Sequence, residues 1–359
     1  MNYILRLKKL QKFLKNQDCD AIVIDDVLNI FYLTGQRLSC GSFYVSQKQA
    51  RLIVDSRYYE SCKTNCPFPV ILLEGDPLKQ ILASKLYKDI EKLGFDSQNT
   101  SYDKYLALKK SLKGSSIKLI PFKNPVLDLR MIKDPEEIVA LKEAAVLGSE
   151  GFDYVCSLLK TGISEIEIAR ELEIFWKRKG SQGVAFESII AFGPNSSMPH
   201  YRPGDVKLKK GMPVLVDIGV NYKHYHSDMT RVPFFGKPSA KMIEIYEVVK
   251  NAQETALKLC KPGAIIGEID LAARKVISDS GYGEYFTHSL GHGVGLEIHE
   301  LPVMRGANRQ VLESGMVVTI EPGVYLPGEG GVRLEDSIVI TAKGCEDLTL
   351  RSKELLLIS

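Results

Sequence analysis

The chain has 359 residues, 45% of them apolar and 25% charged, with a net charge of +3. That length suits two domains, and the composition is that of an ordinary globular protein. No Lys/Arg cluster is interleaved with aromatics, which argues against nucleic-acid binding, and no apolar run approaches the roughly 20 residues that cross a bilayer.

The opening segment Met1-Asn-Tyr-Ile-Leu-Arg-Leu-Lys-Lys-Leu mixes charges with apolar residues at helical spacing. It predicts a helix carrying Leu5, Leu7, Leu10, Phe13 and Leu14, and lacks the continuous apolar core of a signal peptide. Ala21–Ile24 reads as a buried strand, 42–45 and 50–54 as a hairpin, and 78–93 as a helix. Together they predict an α/β domain, and it contains no histidine. Of the seven cysteines, Cys62 and Cys66 are close, but no second pair completes a zinc site. Free thiols and a cytoplasmic location are expected.

The join falls within 121–134. Asp134-Pro135-Glu136-Glu137 is a helix start, with an N-cap acid, proline at the first helical position and acids at the positive end of the dipole. That helix is predicted to run through Ile138, Leu141 and Ala145 to about Leu159. Domains of 1–128 and 129–359 follow.

The second domain repeats itself. Gly211-Met-Pro-Val-Leu-Val-Asp217-Ile-Gly219 is echoed by Gly315-Met-Val-Val-Thr-Ile-Glu321-Pro-Gly323, each ending a β-like run on an acid. Gly162-Ile-Ser-Glu-Ile-Glu-Ile-Ala and Gly263-Ala-Ile-Ile-Gly-Glu-Ile-Asp-Leu-Ala each open a helix. Two related α/β halves facing each other are expected, with an acid from each.

Read as a hairpin turning near Tyr222 and Lys223, 212–232 sets Asp217 opposite Asp228. Read as a hairpin turning in Leu326-Pro-Gly-Glu-Gly-Gly, 316–340 sets Glu321 opposite Glu335. Like charges directly opposed across an antiparallel pair are destabilising, and a cation between the carboxylates resolves both clashes. Alternation agrees. Val214, Val216, Ile218 and Val220 face away from Asp217; Met316, Val318 and Ile320 face away from Glu321; and Val332, Leu334, Ile338 and Ile340 face away from Glu335. A single acid so placed reads as an exposed edge-strand carboxylate; four with this pairing do not.

All six histidines lie in this domain, most densely in His288-Ser-Leu-Gly-His292-Gly-Val-Gly-Leu-Glu-Ile-His299-Glu. The glycines beside His292 are expected to let the backbone approach a bound centre. Imidazole with carboxylates suits Mn, Co, Fe or Zn rather than calcium. His224 and His226, at the hairpin tip, read as structural or solvated. Two metals on shared carboxylates activate a water and polarise a carbonyl, which is hydrolase chemistry.

The set Asp217, Asp228, His292, Glu321 and Glu335 resembles the dinuclear site of the pita-bread metallopeptidases, which include the Xaa-Pro aminopeptidases, the Xaa-Pro dipeptidases (prolidases) and the methionine aminopeptidases. Phe192-Gly-Pro-Asn-Ser-Ser-Met-Pro-His200, Ile298-His299-Glu300, Glu321-Pro-Gly and Gly331-Val-Arg-Leu-Glu335-Asp carry the likeness in order across about 130–345. The N-terminal domain resembles the creatinase/prolidase type, which methionine aminopeptidases usually lack. The fold implied is a two-domain α/β chain: that N-terminal domain, then a pita-bread α+β domain with pseudo-twofold halves around an antiparallel sheet.

The resemblance also implies roles. Asp217 would chelate one metal, His292 and Glu321 the other, with Asp228 and Glu335 bridging. Glu321 would also be the general base. His288 and His299 would stabilise the oxyanion or position the substrate carbonyl, His200 would contact the scissile region, and Arg333 would orient Asp217. The implied cofactor is two divalent ions per chain, Mn2+ with Co2+ or Zn2+ as alternatives. The implied partners are peptides with an Xaa-Pro bond and a second copy of the chain, with no nucleic acid and no membrane.

A strict dipeptidase must anchor the carboxylate of its C-terminal proline, best done by arginine. Similar prolidases carry that arginine four residues after the second histidine of the His-Gly stretch, where this chain has Val303, as in many aminopeptidases P; Arg305 lies nearby. The reading is therefore an Xaa-Pro aminopeptidase, with an Xaa-Pro dipeptidase as the alternative. A non-catalytic pita-bread binding module or a metal-free creatinase-like enzyme is the reading from outside that pair, and each would lack the ligand set kept here.

Overall fold

The computed structural model describes residues 1–75, 80 and 90–359. The chain divides into two compact units, Met1–Arg130 and Met131–Ser359. The predicted helix at 78–93 lies largely outside the described residues, and its last position, Leu93, belongs to a strand, Lys92–Asp96.

In the first unit the opening helix spans Tyr3–Asn16 and buries Leu10 and Leu14, whereas Leu5 in its first turn is exposed. Its six-stranded sheet is mixed. Ala21–Ile24 lies near the centre, antiparallel to Ser42–Ser46 and parallel to Lys92–Asp96. The expected hairpin forms, with Val45 opposite Ala50.

In the second unit, the helix Pro135–Leu158 opens on a reciprocal capping box between Asp134 and Glu137. A second capping box, Ser164 with Glu167, opens Glu165–Arg178. These two helices pack Val155, Leu172 and Trp176 against Val214, Val216, Ile218 and Val220. In the other half, Ala240–Leu259 and Ile266–Asp279 pack Val249, Ile269 and Ile277 against Met316, Val318, Ile320, Ile338 and Ile340. The predicted apolar faces thus pack on the helices, and the acids sit on the opposite side of each strand.

The internal echo is structural. Gly162 and Gly263 take φ of +87° and +85°, and Gly211 and Gly315 take +91° and +93°, backbone that only glycine enters without strain. The hydrogen bonds repeat as well: Gly162 N–H donates to Leu208 O and Gly263 N–H to Leu312 O. This is the pita-bread arrangement of two α/β halves around antiparallel strands. Among the described residues, no helix is long and apolar enough to cross a membrane.

The 316–340 register is as predicted. Ile320 pairs with Asp336 and Gly323 with Arg333, so the intervening Glu321 and Glu335 fall opposite each other. The first hairpin differs. Asp217 pairs with Thr230, not Asp228, because the turn is centred on Lys223 and His224 at φ of +50° and +71°. Both central residues in the left-handed region make a type I′ two-residue loop, which matches the twist of its strands. A displacement of two residues keeps every side chain on its predicted face.

Candidate metal centre

The two halves meet in an isolated antiparallel bridge between Thr230 and Glu335, where Glu335 N–H donates to Thr230 O at 3.1 Å. Around it the strands deliver the acids. Asp217 comes from Met212–Ile218, Asp228 from the residue before Met229–Arg231, and Glu321 from the residue after Val317–Ile320. His292 comes from the short strand Gly291–Gly293. Its Nε2 lies 3.5 Å from Asp228 Oδ2 and 3.4 Å from Glu321 Oε1. Ligand atoms of Asp228, His292 and Glu335 fall within 4.8 Å of one another.

The glycines around His292 serve a different purpose from the one expected. A Cβ at Gly291 would sit 2.0 Å from Thr319 O, and one at Gly293 2.1 Å from Leu301 O. They admit neighbouring strands rather than a ligand.

Protonation follows from burial. Burial pushes all four carboxyls up, and Glu321 reaches about 8 even though Arg333 pulls the other way. Asp228 and Glu335 lie well above the usual carboxylate range, from burial first and then from the other acids. Burial takes His292 down to about 4. Its Nδ1 lies 3.0 Å from Gly293 O, a contact that needs the proton on Nδ1 and leaves Nε2 as a lone pair aimed at Asp228 and Glu321.

These residues fit a divalent cation. The Nε2 lone pair faces carboxylate oxygens at separations too long for hydrogen bonds, but natural for ligands each about 2.1 Å from one ion. Asp217 Oδ1 is buried and has no hydrogen-bond partner among the described residues. Four clustered acids face one buried guanidinium, that of Arg333. Imidazole, carboxylate and orphaned oxygen together are a donor set for Mn, Fe, Co or Zn.

Supporting groups are dense. Arg333 pairs with Asp217, donates from Nε to Thr230 Oγ1 at 3.1 Å, and donates from a second nitrogen to the Tyr325 hydroxyl at 2.7 Å. Thr230 Oγ1 donates to Glu335 Oε2 at 2.7 Å. The buried Arg231 donates to the carbonyls of Thr230 and Glu335 and pairs with Asp336, which Lys353 also contacts. Thr319 Oγ1 lies 3.2 Å from Glu321 Oε1.

Both ring nitrogens of His288 are engaged, Nδ1 with Ser289 O and Nε2 with the Tyr325 hydroxyl, each at 2.8 Å. Its ring joins the Tyr325–Arg333–Asp217 chain. His299 is exposed and sets its ring edge-on to His292, with centroids 4.4 Å apart. His200 is exposed on the loop after Ile189–Phe192, within electrostatic reach of Asp217, His288 and His299. His226 contacts Gly295 O and the Asn221 side chain, each at 3.2 Å.

Sequence reading missed Thr230 and Tyr325. Alternation could have found Tyr325, which shares the face of Glu321, but a neutral hydroxyl creates no charge conflict to demand explanation. Lys133 and Glu300 form a fully buried ion pair at 3.1 Å, next to His299 in sequence. Lys133→Met removes the cation facing Glu300 and is expected to lower stability by about 3–5 kcal/mol, read as a fall in the urea midpoint.

A buried cluster of carboxylates and one lone-pair imidazole, fixed between two pseudo-symmetric α/β halves, defines a metal-dependent hydrolase. Comparison with known proteins makes this specific. Residues 139–342 match metallopeptidase family M24 and residues 6–132 match the creatinase/prolidase N-terminal domain. The chain belongs to family M24 and is a metal-dependent peptidase. It is 38% identical to an Xaa-Pro dipeptidase of Pyrococcus furiosus, over 98% of this chain and 99% of that one. Among solved structures it resembles an Xaa-Pro dipeptidase from Bacillus anthracis (TM-score 0.95, 36% identity, 99% and 100% of the two chains). It also resembles an X-Pro aminopeptidase from Thermotoga maritima (TM-score 0.88, 33% identity, 95% and 98%).

Proposed function

We propose that this chain is an Xaa-Pro aminopeptidase, releasing the first residue of peptides with proline in second position. The supporting observation is the buried cluster of Asp217, Asp228, His292, Glu321 and Glu335. These five would hold two divalent ions, Mn2+ in the first instance and Co2+ or Zn2+ as alternatives. When bound, the ions supply Lewis acidity and a nucleophilic water.

The residues divide the remaining work. Glu321 takes the proton of the attacking water, with Thr319 Oγ1 3.2 Å from its Oε1 to fix its orientation. His288 and His299 stabilise the developing oxyanion or position the substrate carbonyl. His200 contacts the scissile region. Arg333 holds Asp217 in orientation, and its own position is set by Thr230 and Tyr325. Proline's ring-substituted nitrogen and restricted geometry exclude most peptidases, so a dedicated site is needed.

Val303 supports the aminopeptidase reading. It is the direct cross-strand partner of His292, so its side chain projects on the same face as that ligand. An apolar residue there offers no anchor for a substrate carboxylate. The dipeptidase is the second reading, favoured by the names of the Pyrococcus and Bacillus proteins. Val303→Arg is expected to raise kcat/KM on an Xaa-Pro dipeptide by roughly 10-fold or more, the effect of one charge-assisted hydrogen bond, and to lower it on a tripeptide.

The deciding experiment gives the Mn2+-loaded protein an Xaa-Pro dipeptide and an Xaa-Pro-Xaa tripeptide, with products followed by mass. Loss of the first residue from the tripeptide, abolished by a chelator, is the expected result. Cleavage of the dipeptide alone would establish the second reading. Silence on both, with no metal retained, would overturn the assignment. All seven cysteines are free, which supports the proposed cytoplasmic location. The proposed homodimer is tested by light scattering.

A further inference from the structure

Of the buried carboxylates outside the cluster, one faces the loop that carries His200. Glu165 is 0% exposed and opens the helix Glu165–Arg178. An acid at a helix start ordinarily serves the helix dipole, but here capping is done by Ser164 and Glu167. Glu165 instead turns to the segment 192–204. Its Oε1 accepts from Phe192 N–H at 2.8 Å and from Asn195 Nδ2 at 2.9 Å. Its Oε2 accepts from the Tyr201 hydroxyl at 2.8 Å and from Gly204 N–H at 3.1 Å. Both oxygens are saturated, and one carboxylate ties the two ends of the loop that carries His200.

The internal repeat shows that the fold itself does not need this acid. Gly162 matches Gly263, Ile168 matches Ile269 and Trp176 matches Ile277, all buried or at equivalent turns, and in that alignment Glu165 matches Ile266, which is also buried. The backbone bonds agree: Ile166 N–H donates to Gly204 O where Gly267 N–H donates to Asn308 O. The equivalent helix start is therefore built on isoleucine in the other half. The half with the carboxylate is the half with the His200 loop.

We infer that Glu165 is a positioning residue that holds the 192–204 loop so that His200 meets the substrate. The inference rests on the proposed role of His200. Glu165→Gln tests it well. The amide offers one acceptor and one NH2, and whichever way it is placed the NH2 meets a backbone N–H, of Phe192 or of Gly204, which cannot accept. The helix start, the capping box and the acid cluster are untouched.

Kinetics on an Xaa-Pro-Xaa tripeptide would be measured for the Mn2+-loaded wild type, E165Q, H200A and the double variant, with bound metal quantified. Hydrogen exchange would be followed at the Phe192 and Gly204 amides. E165Q is expected to lower kcat/KM by about 10²-fold, the scale of a small misplacement in a catalytic site, with metal content unchanged. In the H200A background the same change is expected to cost under about 3-fold, because both substitutions remove one coupled interaction. The two amides should exchange about 10-fold faster, and those of Ile266–Asp279 at their original rate. Full multiplication of the two losses would overturn the coupling to His200, and unchanged exchange at both amides would overturn the loop-holding role. An inert H200A would overturn the His200 reading itself, with exchange still deciding whether Glu165 holds the loop. If E165Q does not fold, Y201F removes one donor only and is expected to give a smaller loss with the same dependence on His200.

Discussion

Glu321→Gln is expected to lower kcat by about 10³-fold, within the range for loss of a general base, and to leave the fold intact. Glutamine keeps the shape of the side chain and one oxygen for a cation, but it cannot receive a proton. The position is well placed for the task. Glu321 caps the strand Val317–Ile320, its N–H is held by Leu290 O at 2.8 Å, and its carboxylate is steadied by Thr319. Because burial raises this carboxyl to about 8, the metal-free protein holds it mostly neutral at pH 7, and a neutral isostere costs it little stability. Activity and folding should therefore separate. Tripeptide turnover and the thermal midpoint of the metal-free variant are the two readings. A kcat within about tenfold of wild type would remove Glu321 from the role of base and return the search to the remaining acids.

The acids were legible because they break a rule. A carboxylate on the face of a strand opposite a run of Val, Ile and Leu, set across from a second carboxylate, needs a counter-charge, and four such residues in one domain leave few explanations. The 316–340 register was legible too, since the glycine-rich Leu326-Pro-Gly-Glu-Gly-Gly marks its turn. The first hairpin was not. Its type I′ turn is made by Lys223 and His224 at positive φ, where Asn or Gly is usual, so no turn chemistry announces the position. The slip was two residues, which is why Asp217 and Asp228 kept their common face while losing their direct opposition.

What stayed hidden is the neutral and backbone part of the site. Thr230 replaces Asp228 opposite Asp217, and Tyr325 joins His288 to Arg333. Neither carries a charge or a motif of its own. The contacts of His288 were hidden for the same reason, since its ring partners are a carbonyl and a phenol. The glycines beside His292 were misread because close approach by a ligand and by a neighbouring strand leave the same mark in a sequence. Glu165 lies in a stretch that reads as an ordinary capped helix start, and only the loop folded over it reveals the other four partners.

Removing the metal is expected to make stability fall as pH rises from about 6.5 to about 8, and restoring it is expected to reverse that slope. The sign follows from which state holds the protons. The cluster carboxyls titrate near 4 in the unfolded chain. In the folded, metal-free protein burial and mutual repulsion raise them, Glu321 to about 8. Between those values the native state binds more protons than the unfolded state, so each step up in pH costs stability. The buried histidines act in the opposite sense. His288 and His292 are taken down to about 4, so between about 4 and 6.5 the unfolded state binds their protons and stability rises with pH. The two effects offset each other in that lower window, and above about 6.5 only the carboxyl term is left. A divalent cation binds the deprotonated ligands, so its affinity grows with pH and it stabilises the native state by mass action. At a free concentration 100 times Kd this amounts to about 2.7 kcal/mol, or roughly 5–10 °C in Tm for a domain of this size. Thermal scans from pH 6 to 9, with chelator and with Mn2+, would show the two slopes. Scans that coincide and stay flat would mean that the carboxylates are not gathered around a cation, and the peptidase mechanism proposed for them would fall with the metal.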